Sequence, residues 1–85
     1  MLLLGNHGVI VTGRTIAEAF DRMYYFERAC ETYVSVLSTG REAAVMSDET
    51  AEKTAQQWEN YDGFAESHLR EVREILDREE PDYRL

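Results

Sequence analysis

The chain has 85 residues, one cysteine and a formal net charge of −8. A chain of this size buries only about 60–65% of the surface its unfolded form exposes, so it builds at most one small domain with a thin core. The lone Cys30 supports no disulfide framework and fits a reducing compartment, and nine scattered Lys and Arg residues make nucleic acid and anionic membranes poor partners.

The opening run Met1-Leu2-Leu3-Leu4 has no basic lead, and Gly5-Asn6-His7-Gly8 interrupts it. Secretion signals need about 7–15 apolar residues and membrane spans about 20, so the expectation is a soluble, cytoplasmic chain. Turn residues between the apolar runs Leu2 to Leu4 and Val9 to Val11 predict a β-hairpin, with strands over about 2–5 and 8–12. Both runs are apolar throughout, which predicts strands covered on both faces.

Thr15-Ile16-Ala17-Glu18 has the pattern of a capping box and opens a helix over about 15–39. Ile16, Ala19, Phe20, Met23, Phe26, Cys30, Val34 and Leu37 recur at three- and four-residue steps and trace one apolar stripe. Gly40 is placed to end this helix in a left-handed cap. Ser47, with Asp48 and Glu49 after it, starts a second helix over about 47–59, an apolar-poor surface helix docked by Trp58. Tyr61-Asp62-Gly63 breaks the chain before a third helix over about 63–79, with Phe64, Leu69, Val72, Ile75 and Leu76 inward. Pro81 cannot continue that helix. The whole reads as α/β: a hairpin followed by three helices.

Candidate chemistry is sparse. Catalytic zinc takes about three protein ligands plus water, and the chain offers His7, His68 and Cys30 with no HxH, HExxH or paired-Cys spacing. His7 lies in the turn between strands, where an imidazole projects freely, although most turn histidines are merely exposed. His68 with Glu71 one turn on reads as a solvated helix-face pair. Cys30 on the apolar stripe reads as a buried, inert thiol. Gly13-Arg14-Thr15 ahead of a helix is a turn and a cap before it is a phosphate site, since no Gly-rich loop or Lys accompanies it.

The stretch from Leu2 to Phe20, with Asn6-His7-Gly8, a short apolar strand ending at Gly13 and a helix opening Glu18-Ala19, resembles the last third of the class II aldolase/adducin domain. The continuation Glu27-Arg28-Ala29 and the ending Leu76-Asp77-Arg78-Glu79-Glu80-Pro81-Asp82-Tyr83 are similar to the same family. The resemblance implies that residues 1–85 are the C-terminal part of a three-layer α/β/α sandwich. It implies a divalent metal, usually zinc, held by three histidines, of which His7 is the third. It implies an aldehyde-lyase of carbohydrate metabolism acting on a small phosphorylated sugar or aldehyde, and a homo-oligomer. Tyr83 matches by position a C-terminal tyrosine that some members use near a neighbouring subunit's site. The family's upstream His-x-His pair, its base and its phosphate loops have no counterpart in this sequence, so the chain is expected to be inactive alone. The other reading is a non-catalytic, adducin-like assembly module.

Overall fold

A computed structural model describes residues 1–84. Its elements are strands β1 (Leu2–Leu4) and β2 (Gly8–Ile10), helices α1 (Ile16–Ser38), α2 (Asp48–Glu59) and α3 (Phe64–Glu79), and a 3-10 turn at Pro81–Tyr83. The hairpin and three helices are those expected, with shorter ends: the strands stop at Leu4 and Ile10 rather than near 5 and 12, and Thr15, Ser47 and Gly63 precede their helices. The chain divides into two compact units, one made of Met1–Tyr24 with the segment from Gly63 onward, the other of Tyr25–Asp62.

In the first unit β1 and β2 form a two-stranded antiparallel sheet with Leu3 opposite Val9. Leu2, Leu3, Leu4 and Ile10 are all exposed, so the described residues do not supply the cover that apolar strands call for. Such a hairpin is marginal unless other strands or a helix layer join it. A tight corner leads from β2 into α1, and a Cβ on Gly13 would stand 2.6 Å from the Ala19 amide nitrogen. Only glycine fits that approach without moving the first turn of the helix.

Polar groups brace this corner. Thr15 Oγ1 accepts from the Glu18 amide at 3.1 Å, as the capping box requires. Glu18 does not reach back to Thr15, however; its carboxylate accepts from the Arg14 amide at 2.6 Å, one residue earlier. It also pairs with the Arg22 guanidinium at 2.9 Å, and Arg22 donates to the Thr12 carbonyl at 2.8 Å. Glu18 and Arg22 therefore tie the end of the hairpin to the start of α1.

The buried face of α1 differs from the expected stripe. Ile16 is 82% exposed, whereas Ala17 and Asp21 are the two buried residues among those described. Ala17, Phe20, Asp21 and Tyr24 follow the three- and four-residue steps of one helix face, so an aspartate occupies the centre of the small core. His68 on α3 answers it, Nδ1 donating to Asp21 Oδ1 at 2.8 Å. The imidazole packs edge-on against Tyr24 at 4.6 Å between centroids, with Phe20 at 5.1 Å and Phe64 at 6.4 Å. His68 is thus not the solvated partner of Glu71: its side chain is 17% exposed and turned toward α1. These side-chain contacts join α1 to α3 within the first unit. Phe64, Leu69, Val72 and Leu76 are half-buried as expected, but Ile75 is exposed.

In the second unit α1 ends at Ser38, and Gly40 just beyond it takes φ 69° and donates its amide to the Leu37 carbonyl. Ser47 caps α2 by accepting from the Thr50 amide at 3.2 Å. Trp58 meets Tyr25 edge-to-face at 4.7 Å, the docking expected of it, although half of the indole stays exposed. Tyr33, Val34 and Leu37 on α1, and Val45 and Met46 in the connector, are exposed.

Two outcomes follow from the first unit. His68→Ala strands a buried carboxylate and should cost about 3–5 kcal/mol in urea unfolding, with Asp21→Asn in the same chain recovering part of the loss. Equal stability of wild type and His68→Ala would show that the pair contributes nothing. The backbone hydrogen bond from Arg14, then its side chain, holds the Glu18 carboxyl below its ordinary 4.5. Stability from that depressed group is present above about 4.5 and lost as pH falls through the lower folded value. Carboxyl NMR should give a Glu18 midpoint under 4.5, and Arg14→Ala should move it upward.

Candidate functional site

The Asn-His-Gly sequence forms the tip of the hairpin. Leu4 pairs with Gly8, leaving Gly5, Asn6 and His7 as the loop. The His7 amide donates to the Leu4 carbonyl at 3.1 Å, and Asn6 takes φ 63°, the arrangement of a type II turn with the left-handed residue at its third position. Gly8 then returns the chain to β2 with φ 142°, a conformation that side chains rarely adopt. His7 is exposed between these two residues. The sequence therefore places the imidazole as expected, at the end of a short apolar ladder.

The donor set is another matter. Among the described residues no group of three or more His, Cys, Asp or Glu side chains gathers as a metal site. His68, the other imidazole, is committed at Nδ1 to Asp21, and Cys30 is half-buried on α1 rather than fully buried. Among the described residues His7 is therefore a candidate ligand outside any such group, short of the three protein ligands of a catalytic zinc.

Tyr83, the candidate catalytic residue, sits in the turn after α3. Its hydroxyl donates to Asp77 Oδ1, and the Arg84 guanidinium donates to Asp77 Oδ2. Arg84 Nε also reaches the Tyr83 oxygen at 3.3 Å and its guanidinium carbon lies 5.9 Å from the ring centre. The Tyr83 hydroxyl, followed by the Asp77 charge, raises the Arg84 guanidinium above its ordinary value. Asp77, Tyr83 and Arg84 form a small exposed clasp that folds the tail onto α3, and none of these contacts involves His7. Sequence reading gave Asp77 no role; its i, i+6, i+7 spacing to Tyr83 and Arg84 across Pro81 was the available signal.

No helix among the described residues is long and apolar enough to cross a membrane. No solved structure matches the chain. The Class II Aldolase and Adducin N-terminal domain matches residues 1–34, the hairpin and the first part of α1. A Caulobacter vibrioides protein named after the class 2 aldolases is 40% identical over 52 residues, covering 61% of this chain and 20% of that protein. Human beta-adducin is 46% identical over 39 residues, 46% of this chain and 5% of the adducin. The Drosophila melanogaster protein hu-li tai shao is 38% identical over 53 residues, 62% of this chain and 5% of its own length. The chain thus spans about a fifth of the bacterial relative and about a twentieth of the two animal ones. Residues 1–34, which carry the Asn6-His7-Gly8 turn, are thus similar to the class II aldolase/adducin family.

Proposed function

We propose that these residues are the C-terminal part of a class II aldolase/adducin domain, with β1 and β2 belonging to the sheet of a three-layer α/β/α sandwich. In this reading His7 is one ligand of a divalent metal, zinc, and the other ligands and the catalytic base come from outside the 85 residues. The complete protein is a cytoplasmic, oligomeric aldehyde-lyase acting on a small phosphorylated sugar or aldehyde, and the 85 residues alone are inactive. The observation that supports this most is the exposed imidazole at the tip of the hairpin within residues 1–34, the segment that matches the family. The uncovered Leu2, Leu3, Leu4 and Ile10 agree with it, because apolar strands of this kind are stable when a sheet extends past them.

Zinc titration of the 85-residue chain tests the reading. Binding should be weaker than micromolar, should perturb the His7 ring resonances first, and should vanish in His7→Ala. Stoichiometric micromolar binding that survives His7→Ala would overturn it, because the metal would then be held elsewhere.

A second reading, an adducin-like assembly module without catalysis, is favoured by the similarity to beta-adducin and by the exposed Tyr33, Val34 and Leu37 on α1. Large exposed apolar stretches mark association surfaces. Light scattering across a concentration series should then show self-association, and a stable monomer throughout would remove this reading.

A further inference from the structure

Among the described residues Asn6 is the single non-glycine residue with a positive φ, at 63°. That conformation crowds Cβ against the following carbonyl for most L-residues, and only Gly, Asn and Asp enter it at small cost. An isolated left-handed residue of this kind is common in turns, so its position decides what it means.

The shortest hairpin of this sort needs only Asn-Gly between its strands. Here His7 stands between Asn6 and the glycine, and Gly8 needs its own unusual φ of 142° to bring the chain back into register opposite Leu4. The third loop residue, His7, stands at the tip with its amide fixed to the Leu4 carbonyl at 3.1 Å. The bond that closes the turn runs between backbone groups, and the left-handed conformation of Asn6 is the one this turn needs at its third position.

We propose that Asn6 is a positioning residue for His7, its left-handed backbone setting where the imidazole leaves the hairpin. The functional meaning of that placement rests on the metal-ligand reading of His7, but the geometry is measured without metal. A failed zinc titration would therefore remove the ligand reading and leave this inference standing.

The test is NMR on the full chain carrying Asn6→Gly, Asn6→Asp, Asn6→Ala or Asn6→Val, following exchange of the His7 amide and the His7 ring resonances. Gly and Asp should stay close to wild type, since both accept the left-handed backbone. Ala should lower His7 amide protection by about tenfold and shift the ring signals, with a larger change for Val. Signals from α1 should not move. If Val unfolds the hairpin, the milder Ala variant carries the comparison. A loss in Gly as large as in Ala would assign the effect to the side chain and overturn the proposal. So would an Ala variant with His7 unchanged in both readouts.

Discussion

A carboxylate in the middle of a small apolar core has to be answered by a hydrogen-bond donor, and in this chain that requirement organises the first unit. Asp21 is 4% exposed. Leaving such a group without a partner would cost more than any single apolar contact nearby contributes. His68 is the donor, and meeting Asp21 brings its ring among Phe20, Tyr24 and Phe64. The Asp21–His68 bond and the contacts of the imidazole with Phe20 and Tyr24 are side-chain contacts between α1 and α3.

Away from this pair the chain is held mainly by local devices. Glu18 joins Arg14 and Arg22, Ser47 caps α2, and Asp77 gathers Tyr83 and Arg84. These are short-range interactions that define the ends of elements. They do not cover the apolar residues of β1, or Tyr33, Val34 and Leu37 of α1. Residues 1–13 contain no Asp, Glu, Lys or Arg, so the hairpin also lacks the charges with which edge strands discourage unwanted pairing. A sheet of two short strands with that composition has the chemistry of an interior and the exposure of a surface.

Reading the sequence recovered what depends on local pattern. Gly40, Ser47, Gly63 and Pro81 mark element ends because their backbone preferences act within a few residues, and the Asn-His-Gly turn was visible for the same reason. What depends on a partner far along the chain was not visible. Counting apolar residues put Ile16 inward, since the periodicity does not register that a neighbouring face is centred on Asp21. His68 looked solvated beside Glu71 because the residue that draws it inward lies 47 positions away. Even the capping box was half right: Thr15 caps as expected, but Arg14 competes for the Glu18 carboxylate with both its amide and its guanidinium.

The two histidines show why a ligand cannot be recognised from residue type alone. His68 has the second partner that orients an imidazole, a carboxylate on Nδ1, an arrangement often found behind metal ligands. Yet it lies outside the residues that match the family and is packed among aromatic rings, where the same hydrogen bond serves to satisfy a buried acid. His7, by contrast, stands exposed on a turn whose backbone is fixed on both sides. Orientation by backbone leaves the ring open to donors arriving from elsewhere, whereas orientation by a buried carboxylate uses the ring to hold the chain together. The difference in what restrains each ring, rather than the ring itself, separates the candidate ligand from the structural one.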